Sequence, residues 1–309
     1  MADGVYHTRS RGVGVEGIPD QYADGKAAKL WEVYIGEKND RTKHYKEFLT
    51  GKLRELGIHH VLDVACGTGI DSIMLLEEGF RVTSTDASDR MLKYALKTRW
   101  NRRKEPAFDD WVIEEGNWLT LPDDIVKPPG GFDAVVCLGN SFSHLPDIHK
   151  DGQTHVRAIR NFWEMIKPGG YLIIDHRNYD YILDKGKTPP NSIYYNSKHI
   201  KSIETGVLLL NNKPHQVCLD YHMDVSGLTG KFDKQTDSEF TKKGRYDGEL
   251  SSYFRLSYFP HRLKDFHSML TEVFGKQVRH ETYGDFQPLH AIQDPAFYIH
   301  IIQKQGESN

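Results

Sequence analysis

The sequence predicts an α/β fold: a doubly wound, mostly parallel seven-stranded sheet with helices before it and a small antiparallel β insert late in the chain. Three observations predict it. Strand and helix patterns alternate from residue 59 to 177, a glycine-rich turn follows the first strand, and a helix with two strands closes the chain after an interruption. Alternation of this kind makes parallel neighbours joined by crossover helices.

Residues 1–57 hold no strand pattern. "QYADGKAAKLWEVYIG" and "RTKHYKEFLTGKLREL" carry apolar residues at helical spacing, so an arm followed by a helical lid is expected there. The core is expected over 58–177. In "HHVLDVACGTGID" a β-run ends in glycines; "SIMLLEEG" is a helix closed by Gly79; "FRVTSTDAS" is a second strand. A helix in "SDRMLKYALKTRWNRRKE" opens on Ser88 as cap and stops before Pro106. Third and fourth strands lie in "WVIEEGNWL" and "FDAVVCLGN", a helix in "HVRAIRNFWEMIK", and a fifth strand, "YLIIDH", follows the turn "KPGG".

Past Arg177 the alternation stops, and residues 178–258 read as strands and turns, including "HQVCLDYHMDV" and "SYFRLSYFP". Inside this insert, "TGKFDKQTDSEFTKKGRYDGE" is too polar for a core and is expected as an exposed hairpin tip or disordered loop. Residues 259–309 complete the sheet with the helix "HRLKDFHSMLTEVFG" and the strands "KQVRHETY" and "AFYIHIIQK".

A chain of 309 residues can bury a full core and still carry an insert. Its 40 Lys and Arg nearly balance 43 Asp and Glu, which argues against a nucleic-acid surface. No apolar run reaches the ~20 residues of a membrane span, and residues 1–20 lack a signal-peptide core, so a cytoplasmic protein is expected. Cys66, Cys137 and Cys218 are scattered and suit reduced thiols. Histidines and carboxylates show no metal-ligand spacing, and no metal is expected.

The glycine turn carries the first chemistry. Gly67 and Gly69 let a ligand approach the backbone, and Asp86, 17 residues beyond Gly69, is placed to hold ribose hydroxyls. A dinucleotide fingerprint needs a third glycine at position 72, where Ser72 stands. The turn alone leaves a dinucleotide domain as the alternative. At the end of the fifth strand, "DHRNYD" puts Arg177 where open α/β sheets bind ligands, and its planar fork suits a carboxylate bidentately. A solvated strand end is the bland alternative.

"DVACGTG", the acid after the second strand, "GNW" and "KPGG" together resemble the S-adenosylmethionine-dependent methyltransferases. After the fourth strand, "CLGNSFSHLPD" lacks the Pro-Pro-aromatic platform of the base methyltransferases, which leaves a small acceptor. Within the superfamily, "EGIPDQYADG", "KYALKTRWNRRKEPAFD", "CLGNSFSHLPD" and "IDHRNYDYIL" resemble the glycine N-methyltransferases over nearly the whole chain. The sequence departs from that pattern at about 226–250 and in the first half of "HAIQDPAFYIHIIQK".

That resemblance implies a Rossmann-like methyltransferase fold and transfer of a methyl group from S-adenosylmethionine to glycine, giving sarcosine. Arg177, Asn140, Tyr195 and Tyr221 are then the substrate and catalytic positions, with Asn140 able to meet the carboxylate or the amine. Tyr22, Trp31, Tyr34, Arg41, Ala65, Gly67, Gly69, Asp86, Asn117, Trp118, Leu138 and His144 form the implied cofactor set. The resemblance further implies a homotetramer whose N-terminal arms reach neighbouring sites, and a reduced folate as inhibitor touching Tyr6, His215 and Arg255. Two alternatives stay open: an enzyme that continues from sarcosine to dimethylglycine in an osmolyte pathway, and a sensor binding S-adenosylmethionine and folate.

Overall fold

A computed structural model describes residues 43–147, 152–189, 200–224 and 253–306. Helix α1 (Lys43–Glu55) leads into β1 (His60–Asp63), α2 (Ile70–Glu77), β2 (Arg81–Asp86), α3 (Asp89–Asn101), β3 (Val112–Glu115) and β4 (Phe132–Cys137). Then come α4 (Gln153–Met165), β5 (Ile166–Arg177) and α5 (Tyr179–Lys185), followed by the insert strands β6 (Ile200–Leu210), β7 (Lys213–Met223) and β8 (Tyr253–Tyr258). Helix α6 (Leu263–Phe274) and strands β9 (His280–Gly284), β10 (Gln287–Pro288) and β11 (Phe297–Gln303) finish the sheet.

The main sheet has the order β10-β9-β11-β5-β4-β1-β2-β3. Strands β1 to β5 run parallel, and β11 enters antiparallel between β5 and β9. Chain order reverses between β1 and β4, so their carboxyl ends open a crevice where such sheets take ligands. The central strands β1, β4 and β5 are buried on both faces because their alternate residues feed two cores. Val61 and Ile173 pack with Leu49, Leu53, Ile73 and Leu92 of α1 to α3. Leu62, Leu172 and Ile174 pack with Ile159 and Phe162 of α4 and with Phe266 and Leu270 of α6.

The second sheet, β6-β7-β8, is antiparallel throughout. Its Val217, Leu219, Tyr221, Leu256 and Tyr258 face the first core and are at most 1 % exposed. The insert is therefore seated beside the strand ends and supplies side chains to the crevice.

Three local readings change. The seven expected strands are present, and the two-residue β10 adds an eighth, made possible by left-handed Asp285 and Phe286 at the bend. The insert region opens with a helix rather than a strand: Asn178 caps α5 by accepting from the Tyr181 N–H at 2.9 Å, and Gly186 at φ 68° closes it. "KPGG" lies inside β5 as an irregularity rather than before it. Gly170 is so close to β4 that a Cβ there would sit 2.6 Å from the Asp133 carbonyl oxygen. Ser88 does stand at the N-cap of α3, with no capping bond from its side chain. The N-terminal lid before residue 43 and the charged loop at 226–250 lie outside the described residues. Among the described residues no helix is long and apolar enough to cross a membrane.

Candidate active site

At the end of β1 the chain turns through Gly67 (φ 53°) and Gly69 (φ 88°), both in the left-handed region that favours glycine. A Cβ on Gly69 would lie 2.8 Å from Trp111 Cη2, so the turn packs flat on the core with no side chain of its own. Asp86 fixes it: one carboxylate oxygen accepts from the Gly67 N–H at 2.8 Å and the other from the Ser88 N–H at 2.9 Å. A carboxylate is acceptor-only, with about four acceptor positions, which is the chemistry that hydroxyl donors need.

Ser72, where a dinucleotide fingerprint would have glycine, has its own task. Its hydroxyl donates to Asp63 Oδ2 at 2.6 Å and meets Ser84 Oγ at 2.7 Å, which in turn accepts from the Trp111 indole N–H at 2.7 Å. Burial pushes the Asp63 carboxyl up to about 7 against the lowering effect of the Ser72 bond. This buried chain holds β1, α2 and β2 in register under the turn.

Ala65 is half-buried in the same turn. After β3, Asn117 accepts from the Leu119 N–H at 3.0 Å, which leaves its amide nitrogen as the group able to meet a base edge. The Trp118 indole N–H donates to the Val64 carbonyl at 2.6 Å, and its ring stacks on Phe142 at 5.9 Å. Leu138 is buried at the end of β4. A glycine cradle, an acceptor-only acid and an aromatic ring at the carboxyl ends of β1 to β4 fit an adenosyl group: backbone against its body, carboxylate against ribose hydroxyls.

The other half of the crevice lies over β4 and β5. Asn140, left-handed at φ 63° and 1 % exposed, donates its main-chain N–H to Asp175 Oδ1 at 2.7 Å. Its side-chain Oδ1 accepts from the Arg177 N–H at 2.9 Å, so the two strand ends are tied together. Arg177 itself is 8 % exposed. Its Nη2 donates to the Tyr221 hydroxyl at 2.9 Å, and its guanidinium lies 4.9 Å from the Phe297 ring and 5.9 Å from the Tyr258 ring. Tyr221 is stacked on Phe254 at 4.7 Å and 6°, which fixes the phenol that meets the guanidinium.

His144 stands against Tyr258, 4.7 Å between ring centres, and so borders the arginine. Burial, with the Arg177 charge adding to it, lowers its pKa to about 4, making it a neutral imidazole at neutral pH.

The structure thus gathers Arg177, Asn140, Tyr221 and His144 at one end of the crevice and Ala65, Gly67, Gly69, Asp86, Asn117 and Trp118 at the other. His215 and Arg255 are not brought together. His215 packs edge-on to Phe259, while Arg255 sits on the exposed face of the insert and grips Asp220 through two bonds of 2.6 Å. Tyr6, Tyr22, Trp31, Tyr34, Arg41 and Tyr195 lie outside the described residues. No cluster of three or more metal-ligating groups occurs among the described residues.

Several contributors escaped the sequence reading. Asp175 shares a strand face with Arg177, two residues on, and alternation could have found it. Tyr179 follows in the same hexapeptide. Phe297 carries no local signal; it arrives by pairing opposite Arg177 across β11 and β5.

Comparison with known proteins agrees with this geometry. Residues 61–170 match a family model described as a methyltransferase domain. Glycine N-methyltransferase of Rattus norvegicus is 56 % identical over 310 residues, covering 99 % of this chain and 100 % of that protein. The chain belongs to the glycine N-methyltransferase family. Glycine/sarcosine N-methyltransferase of Halorhodospira halochloris is more distant, 34 % identical over 93 % of this chain and 90 % of its own. An S-adenosylmethionine-dependent methyltransferase structure from Clostridium acetobutylicum shares the fold, with a TM-score of 0.60 at 14 % identity, covering 90 % of this chain and 98 % of its own. This family member is accordingly an S-adenosylmethionine-dependent methyltransferase.

Proposed function

We propose that the chain transfers a methyl group from S-adenosylmethionine to the amino nitrogen of glycine, giving sarcosine and S-adenosylhomocysteine. The observation that carries the acceptor is Arg177: a buried guanidinium at the end of β5, steadied by one phenol and two aromatic rings. Such a fork takes a planar carboxylate in a fixed orientation, which a flexible ammonium would not do.

S-adenosylmethionine, when bound, supplies an electrophilic methyl on a sulfonium that departs as a neutral thioether. The chain therefore has to hold and orient rather than push protons. Asp86 and the Gly67 to Gly69 turn bind the adenosyl part, while Arg177 and Asn140 fix the glycine carboxylate. With the carboxylate fixed, the lone pair of the neutral amine, its ammonium proton released to solvent before attack, is aimed along one line at the methyl carbon, and positioning of this sort lowers the barrier by holding a near-attack geometry. Tyr221, and Tyr195 by resemblance, supply phenol oxygens near the reacting end.

The family resemblance also supports a role in setting the S-adenosylmethionine pool of the cytoplasm, a homotetrameric assembly and inhibition by a reduced folate. For a folate carboxylate to use Arg255, it would have to displace Asp220 from that fork.

The test is incubation with methyl-labelled S-adenosylmethionine and glycine, with products identified by mass spectrometry. Sarcosine alone is expected. Sarcosine followed by dimethylglycine would make this a glycine and sarcosine methyltransferase, as the 34 % identical relative is named. Cofactor binding without any labelled glycine product would favour a sensor.

A further inference from the structure

We infer that Tyr179 steadies the Asn140 amide in the orientation that the Arg177 main-chain N–H selects, in which Asn140 meets the substrate as a hydrogen-bond donor only. This rests on the reading of Asn140 and Arg177 as the glycine site.

The Asn140 side chain is nearly spent on the protein. Oδ1 accepts from the Arg177 main-chain N–H at 2.9 Å, from Ser143 Oγ at 3.0 Å and from the Tyr179 hydroxyl at 3.2 Å. Nδ2 donates to the same Tyr179 hydroxyl at 3.0 Å. A main-chain N–H is a donor and nothing else, so the atom facing it must be the carbonyl oxygen, and the amide has one permitted orientation. One of the two Nδ2 hydrogens goes to the phenol, and the other is what remains for a ligand. Asn140 can then bond a carboxylate oxygen and has no acceptor to offer an ammonium.

Tyr179 is built to do this. It is the first residue of α5, directly after Asn178, whose main-chain N–H donates to the Ala296 carbonyl at 2.9 Å and whose side-chain Nδ2 donates to the Pro295 carbonyl at 2.9 Å. The ring is fully buried in the first core. Burial pushes the phenol up to about 12, so it stays protonated and can donate and accept at once. One rigid aromatic side chain therefore couples the start of α5 to the amide that ties β4 to β5. Its hydroxyl is the part that bears on the Asn140 amide, and its ring would pack equally well as phenylalanine.

Tyr179→Phe removes that oxygen and leaves the ring. Expected is a rise of about tenfold in the glycine KM, the effect of loosening one buried hydrogen-bonded group. The kcat at saturating glycine should stay within about twofold, with the dissociation constant of S-adenosylmethionine by calorimetry unchanged. Ser143→Ala, which takes one donor from the same oxygen, should raise the glycine KM less. In an Asn140→Ala background Tyr179→Phe should add nothing, because the group it positions is gone. An unchanged glycine KM in Tyr179→Phe overturns the inference, as does full additivity with Asn140→Ala. Parallel losses of cofactor affinity and thermal stability would also overturn it by showing a structural role alone. Absence of glycine turnover in the wild-type enzyme, measured first, would instead sink the functional reading and this inference with it.

Discussion

The proposed cofactor end and the proposed substrate end of the crevice are made of different things. Around Gly67, Gly69 and Asp86 the contacts are main-chain groups meeting one carboxylate, between residues 2 and 19 positions apart. Around Arg177 they are side chains meeting side chains or a neighbouring main chain, across 37 positions to Asn140 and 44 to Tyr221. A cofactor shared by a whole superfamily can be held by a local strand-turn-helix unit. On the proposed reading, an acceptor particular to one family draws on residues from β4, β5, α5, β7, β8 and β11, and the insert beside the sheet would be part of the substrate site.

Breaking the substrate end alone should give the largest effect. Arg177→Lys keeps the charge and removes the fork, and we expect kcat/KM for glycine to fall at least about 100-fold, roughly 2.7 kcal/mol of transition-state binding. S-adenosylmethionine affinity should stay within about twofold by calorimetry. Equal losses at both would mean the two ends are one coupled unit. The reciprocal break is Gly69→Ala, which forces a Cβ into left-handed backbone 2.8 Å from Trp111. That should cost about 2 kcal/mol of stability and weaken cofactor binding, since strained φ and overpacking each cost on the order of 1 kcal/mol or more. Glycine KM measured at saturating cofactor should hardly move; a large change there would again deny the division.

The same division explains what was legible in the sequence. Gly67, Gly69 and Asp86 announce themselves because glycine at a strand end and an acid after the next strand are local patterns with one physical meaning. Alternating strands and helices are local too, so the parallel sheet and its two closing strands were readable. The role of Ser72 was not, because nothing local says that its hydroxyl reaches Asp63 and, through Ser84, the Trp111 indole. At the substrate end Arg177 stood out by position, and Asn140 and Tyr221 came only through resemblance. Helix α5 was missed because its signal is a single turn of cap and apolar residues, Asn178, Tyr179 and Ile182, set in a stretch otherwise rich in strand patterns. Phe297 illustrates the general limit: its place beside Arg177 follows from register across β11, not from its neighbours in sequence.

Acidity sharpens the comparison most finely, because the two ends respond with opposite sign. At the Arg177 end, burial holds the His144 pKa down to about 4, and that of His176, the neighbour of Arg177 whose ring packs on Phe266 and His300, is held down to about 4 as well. An unfolded histidine, near 6.5, takes a proton that these folded ones refuse, so their contribution to stability is full above about 6.5 and is lost as pH falls toward 4. At the cofactor end Asp63 is raised to about 7, so the folded state holds a proton that the unfolded chain releases above about 4. Its effect runs the other way: stability from this group is full below about 4 and is lost as pH rises toward 7. Burial lowers His60 and His280 to about 4 as well, so the histidines outweigh Asp63 and leave a net loss on acidification, about 1.4 kcal/mol per pH unit for each net proton taken up on unfolding. Urea midpoints should therefore fall between pH 6.5 and 5, and Asp63→Asn, which removes the opposing group, should make that fall steeper. A midpoint that rises on acidification would show that the carboxylate end governs, and an unaltered slope in Asp63→Asn would show that Asp63 does not titrate in this range.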